Sequence, residues 1–180
     1  DFAIILTSLS DLGYVAEWRV INAAEYGMPQ RRRRTYIVAY RNETAIAKSI
    51  TDTEDWIMES GTIAKAFPIL PKENTRTNHF SIEGTLYEVS ANFNKGKTKF
   101  EFENAGIIFN RHVTTAATLP DYDGERISLG QLLLPENEVS EEFFITSADL
   151  PKWQYLKGSK SETRISTEGY EYKYSEGGMA

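Results

Sequence analysis

Residues Gln30-Arg31-Arg32-Arg33-Arg34 set one carboxamide and four guanidiniums in consecutive positions, directly after the turn-forming stretch Tyr26-Gly27-Met28-Pro29 and directly before the apolar run Thr35 to Tyr40. Arginine stays charged at every physiological pH and donates several hydrogen bonds in a planar fork. A row of arginines fixed to rigid backbone suits recognition of a phosphate or an electron-rich ring. If a strand begins at or before Gln30, side-chain alternation puts Gln30, Arg32 and Arg34 on one face and Arg31 and Arg33 on the other. The competing reading is an exposed basic patch or a set of surface ion pairs, because runs of charge are usually solvated faces.

A second basic cluster, Lys157-Gly158-Ser159-Lys160 with Arg164 four residues on, follows the aromatic residues Trp153 and Tyr155. Glycine lets backbone approach a phosphate closely, and serine and lysine donate to it. A surface loop after a short helix explains the same residues equally well. Elsewhere the chemistry thins out. The absence of cysteine excludes disulfides, thiolate metal sites and a cysteine nucleophile within this sequence. His79 and His112 lack metal-type spacing and read as surface or locally bonded residues. Glu101 and Glu103 would share one strand face, most simply a solvent-facing one. No Ser-His-Asp arrangement or phosphate-loop fingerprint is present. Trp18, Trp56 and Trp153 read as packing residues rather than base-stacking platforms.

A chain of 180 residues with 41% hydrophobic and 12% aromatic content can bury a core. No apolar run approaches the roughly 18 residues needed to cross a bilayer, and no secretion signal is visible, so an intracellular, cytoplasmic setting is expected. The net charge of -6 argues against nucleic-acid binding only until its distribution is considered. Residues 1–42 hold six Arg against Asp1, Asp11, Glu17 and Glu25, and 151–164 hold Lys152, Lys157, Lys160 and Arg164 against Glu162. The acid concentrates in 135–149, as Glu136, Glu138, Glu141, Glu142 and Asp149. Binding responds to local potential, screened within about 10 Å at ordinary salt, so two basic faces fit an acidic total.

The elements that must position these groups follow from periodicity. Apolar residues at 2, 5, 6, 9 and 12 predict a helix ended by Gly13. Tyr14 to Ile21 and Thr35 to Tyr40 predict strands able to pair antiparallel around the arginine loop. Ala45 to Ala66 reads as a polar, partly helical connection leading away from this first unit, interrupted at Ser60-Gly61. Short strands are expected at Thr85 to Val89, Lys99 to Phe102 and Gly106 to Phe109, with a turn at Asn94-Lys95-Gly96. Ile127 to Leu134 and Ala148 to Leu156 predict short helices, and Ile165 to Tyr174 alternates weakly.

Gln30-x-Arg32-x-Arg34, with Asn22-Ala23-Ala24-Glu25-Tyr26-Gly27-Met28-Pro29 before it and Thr35-Tyr36-Ile37-Val38 after it, resembles motif VIII of the DNA (cytosine-5)-methyltransferases. The rest is similar, more loosely, to the target-recognition region of bacterial members, notably at Ser90-Ala91-Asn92-Phe93, Asn104-Ala105-Gly106 and Lys152 to Lys160. Tyr172-Lys173-Tyr174-Ser175-Glu176-Gly177 resembles the lead-in to the next shared motif.

The resemblance implies a restriction-modification enzyme that transfers a methyl group from S-adenosylmethionine to C5 of cytosine in duplex DNA, with the target base swung out of the helix. It implies Arg34 at the cytosine O2, Arg32 supporting a phosphate or the active-site loop, and Gln30 fixing the turn. Arg31, Arg33, Lys157, Gly158, Ser159, Lys160 and Arg164 become DNA contacts. Asn92, Asn94, Lys97, Arg111 and Gln154 are suited to base edges without any ranking among them. The family's Pro-Cys-Gln, Glu-Asn-Val and Phe-x-Gly-x-Gly motifs are absent. The expectation is therefore a mixed α/β chain. Residues 1–42 would be a piece of a methyltransferase fold (a helix and an edge strand pair), and 43–180 a linker with a small mixed target-recognition domain. Such a chain should be inactive without the rest of the methyltransferase chain, which would bind the cofactor; no metal and no membrane are implied. A sequence-independent nucleic-acid-binding module and a protein-interaction domain using the aromatic, acidic 135–156 segment are the alternatives.

Overall fold

The computed structural model describes residues 2–73, 77–93, 95, 101–165 and 171–176. In chain order they form α1 Phe2–Asp11, β1 Tyr14–Asn22, a 3-10 turn Ala23–Tyr26, β2 Arg33–Arg41, α2 Ala45–Lys48, α3 Thr53–Asp55, a π-turn Trp56–Ser60, α4 Thr62–Ala66, β3 Ile69–Pro71 and β4 Asn78–Ser81. There follow α5 Leu86–Asn92, β5 Ala105–Phe109, β6 His112–Ala116, β7 Thr118–Pro120, α6 Leu129–Leu132, two 3-10 turns, α7 Leu150–Lys157, β8 Lys160–Ile165 and β9 Glu171–Glu176. The class is mixed α/β, as expected, with antiparallel pairing in every described sheet. Packing divides the chain into two compact units, Asp1–Leu132 and Leu133–Ala180. The boundary expected near residue 42 falls inside the first of these units.

Unit one is built on a five-stranded sheet ordered β2-β1-β5-β6-β4. The periodic residues of α1 bury Ala3 and Leu6, and Gly13, at φ 81, ends the helix in a left-handed conformation that costs glycine nothing. From there β1 and β2 pair in unbroken register, Tyr14 opposite Arg41 through Asn22 opposite Arg33. One sheet face carries Ala16, Trp18 and Ile108 against α1 and α5. Phe2, Trp18, Phe80, Phe93 and Phe102 interlock there with mostly edge-to-face geometry. The opposite face carries Val15 and Ile107 against Ala47, Trp56 and Ile57. The segment 45–66, expected to lead away, therefore covers the sheet instead, because its three apolar anchors need a partner surface.

Two other expectations change. Thr85 to Val89 is not a strand: Thr85 and Glu88 form a reciprocal capping box that starts α5, and this local signal outweighs β-propensity. Residues 96–100, most of the strand expected at Lys99 to Phe102, lie outside the described residues, as do Asn94 and Gly96 of the expected turn and Lys97. Glu101 and Glu103 flank Phe102 outside any strand, so they do not share a strand face.

Unit two holds α7 and the β8–β9 ribbon; residues 166–170, between its strands, and 177–180 lie outside the described set. None of its described residues is fully buried. Trp153, read from sequence as a packing residue, is 43% exposed. No helix among the described residues is long and apolar enough to cross a membrane, and no described cluster of His, Asp or Glu has metal-site geometry.

Candidate nucleic-acid interface

The arginine row is presented by a locally determined turn. The Asn22 side chain accepts from Ala24 N and caps the 3-10 turn, and Gly27 leaves it at φ 83. Gly27 is buried; a Cβ there would meet the Glu125 carbonyl, with the Tyr122 hydroxyl at 2.6 Å. Its own carbonyl accepts from Ile127 N at 2.9 Å. Only glycine satisfies both the dihedral and the close approach. Ala23 N donates to Arg32 O, extending the β1–β2 ladder one step beyond the regular strand.

The strand itself starts at Arg33, three residues after Gln30, so strict alternation applies to the later half of the row. Arg34 pairs with Ile21 and shares a face with Tyr36, whereas Arg33 pairs with Asn22 on the opposite face. Gln30 lies in the preceding bend, and Arg31 and Arg32 in the extended link between it and β2. All four arginines are exposed. Arg31, Arg32 and Arg33 form no ion pair or side-chain hydrogen bond among the described residues, and Arg34 donates only to the neighbouring Arg33 carbonyl at 2.8 Å. The surface-ion-pair reading of this row is thus not what the structure forms. Other arginines in the chain are committed elsewhere: Arg41 to Glu43 and Arg111 to Asp11.

An aromatic wall stands beside the row. Tyr36 stacks on Phe67 at 6.5 Å and 22°, and Tyr26 meets Phe67 and Tyr122 edge-on. A cavity of about 200 Å³ lies between Ile21, Tyr26, Met28, Arg32, Tyr36 and Phe67. Arg126, which the sequence reading passed over, sits over the Tyr122 ring and reaches the Ala24 carbonyl.

Beneath this surface is a buried polar pair that was also missed. Glu17 and Arg19, both about 2% exposed, share one face of β1. Tyr40 donates to Glu17 at 2.5 Å and lies 2.6 Å from the Thr62 hydroxyl. The Arg19 guanidinium donates to the carbonyls of Ile57 and Phe67, tying the segment behind the aromatic wall to the sheet. Burial pulls the Arg19 pKa down, only partly offset by Tyr26 and Glu17. Burial also pushes the Tyr40 hydroxyl pKa up, as does its bond to Glu17. The signal was present in the sequence: two charged residues at alternate positions of an otherwise apolar strand.

The second cluster lies in the other compact unit. Lys157 ends α7, Gly158 caps it and Ser159 follows, and Lys157 and Ser159 are exposed. The side chain of Lys160 lies outside the described residues. Arg164 bonds Glu162 at 2.9 Å and packs over the Tyr174 ring at 3.6 Å, so it is less available than Arg31, Arg32 and Arg33. Of the base-edge candidates, Arg111 is committed to Asp11.

Residues 1–174 match the family described as C-5 cytosine-specific DNA methylase. The chain is 38% identical over its full length to type II methyltransferase M.Sau3AI of Staphylococcus aureus, and it spans 42% of that relative. It is 44% identical over 43 residues to M.MthTI of Methanothermobacter thermautotrophicus, covering 24% of this chain and 13% of that one. It is 49% identical over 41 residues to M.NaeI of Lentzea aerocolonigenes, covering 23% and 10%. No solved structure matches. With all but the last few residues matched, the chain belongs to the C-5 cytosine-specific DNA methylase family of restriction-modification methyltransferases.

Proposed function

We propose that this chain is the DNA-selecting part of a type II DNA (cytosine-5)-methyltransferase, contributing the active-site arginines and the target-recognition region. The observation that carries this reading is the uncommitted arginine row on a strand at the open edge of the sheet. Among the described residues β2 has a neighbour on one side only, and Tyr36 and Ala39 on it are exposed. Its other edge is free to continue into the remaining length that the Staphylococcus aureus relative has and this chain does not. On this reading residues 1–42 belong to the catalytic half and 43–180 to the linker and recognition half.

Arg34 is assigned to the cytosine O2. Nucleophilic attack at C6 moves electron density toward N3 and O2, so a guanidinium placed at O2 stabilises the transition state more than the ground state. Arg32 supports the neighbouring phosphate or active-site loop, and Gln30 holds the turn. Arg31, Arg33 and the 157–164 cluster hold the duplex in register.

S-adenosylmethionine does not fit the described residues. None of their strands runs through a glycine-rich turn into a helix N-terminus; the positive-φ glycines are Gly13, Gly27 and Gly84, at the α1–β1 connection, the arginine turn and the loop before α5. The cofactor, like the cysteine nucleophile this sequence lacks, is assigned to the rest of the enzyme, and the chain alone transfers no methyl group.

The test is a competition titration of the chain against two duplexes differing at a single cytosine-containing site. Preference for one duplex, with affinity falling as salt rises, supports the reading. Equal affinity for both favours the sequence-independent nucleic-acid-binding module instead.

A further inference from the structure

Arg19 is the one fully buried arginine among the described residues, and its charge is incompletely answered. A guanidinium has five N–H donors. Here Nη1 and Nη2 donate to carbonyl oxygens at 3.2 and 2.7 Å, and Nε has no partner. No carboxylate lies within ion-pair distance of it among the described residues. A buried cation bonded to neutral carbonyls and offset only in part by Tyr26 and Glu17 still carries a desolvation penalty, and burial, the largest influence on its pKa, pulls that pKa down. A further anion would relieve it.

There is room for one. A cavity of about 190 Å³ lies against Arg19, lined also by Glu25, Tyr26, Arg33, Asn104 and Thr118. That is roughly the liquid volume of six waters, enough for a tetrahedral oxyanion with part of its hydration. Arg33 stands on the solvent side, exposed and without a partner among the described residues. Arg33, opposite Asn22, projects on the other face of β2 from Arg34, whereas Arg19, opposite Tyr36, lies on Arg34's face; the cavity, lined by both Arg19 and Arg33, is reached from the end of β2. Asn104 is committed to Thr118, accepting from its backbone N at 2.8 Å and donating to its carbonyl at 2.8 Å, which gives the site a fixed wall. Glu25 contributes a carboxylate to the lining, a charge that would oppose a bound anion.

We propose that this cavity is a phosphate-binding site, with Arg33 as the direct ligand and the buried Arg19 as a fixed positive field behind it. The phosphate group has two possible sources, a nucleic-acid backbone phosphodiester or a free phosphate ion. The site does not depend on which methylation target the parent enzyme uses.

The experiment titrates the 180-residue chain with inorganic phosphate at constant ionic strength, chloride serving as the balancing salt. It follows the side-chain Nε–H resonance of Arg19 by NMR. A saturable shift is expected. Arg33→Ala should weaken phosphate binding by about tenfold, the scale of one charge-assisted hydrogen bond. Glu25→Gln should strengthen it, an effect that a purely structural role for Glu25 would not produce. Arg41→Ala, which removes an equal charge paired with Glu43 elsewhere on β2, should leave it unchanged. Absence of a saturable shift overturns the proposal, as does a shift insensitive to both Arg33→Ala and Glu25→Gln.

A second arm identifies the source. If a backbone phosphodiester occupies the cavity, Arg33→Ala lowers the salt slope of duplex binding by about one, and Arg41→Ala lowers it less. Equal slopes in the two variants, with inorganic phosphate binding intact in the parent chain, keep the site and assign it to free phosphate. Inorganic phosphate and duplex are read separately, so failure of the DNA reading does not by itself remove the site.

Discussion

Arg111 grips Asp11 at two points, Nε to Oδ1 at 2.6 Å and Nη2 to Oδ2 at 2.7 Å, and so joins the β5–β6 turn to the end of α1. Its Nη1 reaches the Gly84 carbonyl at 2.5 Å and its backbone N donates to Ser10 Oγ at 2.7 Å. One side chain thus fastens three segments. Asn110 and Arg111 are both in the left-handed region, at φ 46 and 62, which suits a two-residue hairpin turn. Asparagine tolerates that conformation and arginine resists it; the grip on Asp11 is what offsets the strain.

Asp11→Asn should therefore destabilise the chain by about 1 kcal/mol at neutral pH, a bidentate pair discounted for solvent screening at a side chain 37% exposed. The hydrogen bond from Arg111 holds the Asp11 carboxyl below its ordinary range. A lowered folded-state pKa gives stability that is present above the unfolded value of about 3.9 and lost as pH falls through the folded one. Urea midpoints of parent and variant should differ at pH 7 and converge in strong acid. A gap that persists unchanged below both pKa values would show that the ion pair is not its source.

Gly106→Ala tests the register of the sheet. A Cβ at Gly106 would collide with the Trp18 ring and lie 2.7 Å from the Thr114 carbonyl, and Trp18 is 2% exposed. Neither a packed indole nor a ladder carbonyl can yield cheaply, so the substitution should cost about 1–3 kcal/mol, the range for overpacked cores. Denaturant unfolding followed by tryptophan fluorescence measures it. An unchanged midpoint would mean that β5 does not lie opposite Trp18.

The arginine row and its turn were legible in the sequence because the determinants are local: Asn22 as a cap, Gly27 in a left-handed turn, and an apolar strand on either side. The paired strands β1 and β2 follow from their composition for the same reason. What the sequence hid is long-range. Nothing near Ala105 announces that it pairs with Arg19, and nothing near Trp56 announces that its segment covers the sheet. The Glu17–Tyr40 bond joins residues that are neighbours only once β1 and β2 have paired. The Thr85-x-x-Glu88 box is local and present in the sequence, and it prevails over the β-propensity of Tyr87 and Val89 because it satisfies the first N–H groups of α5.

Tyr40→Phe should destabilise the fold by about 1–3 kcal/mol, because the buried Glu17 carboxylate loses a donor that water cannot readily replace. Burial and the bond to Glu17 raise the Tyr40 pKa in the folded chain. Stability from a raised pKa is complete below the unfolded value, about 10 for tyrosine, and is lost as pH rises through the folded one. The parent chain should lose stability faster than the variant above that pH, as read by thermal unfolding between neutral and alkaline buffers. Parallel loss in both would place the alkaline sensitivity elsewhere.

Arg33 and Arg34 are adjacent in sequence and opposed in space, and the proposed function divides their roles accordingly. Arg34, opposite Ile21 and on the Tyr36 face, is assigned to charge that develops only in the transition state. In the complete methyltransferase, Arg34→Ala should then lower turnover by about 10²–10³-fold, the range for removing one such donor, while duplex affinity falls far less. Arg34→Lys should rescue poorly, since an ammonium lacks the planar fork. Arg33→Ala should show the converse, weaker duplex binding and a shallower salt dependence with turnover at saturating DNA retained. Single-turnover methyl transfer alongside equilibrium binding separates the two patterns. Identical profiles for the two variants would refute the assignment of separate faces, because two guanidiniums on opposite sides of one strand cannot both reach the same reacting ring.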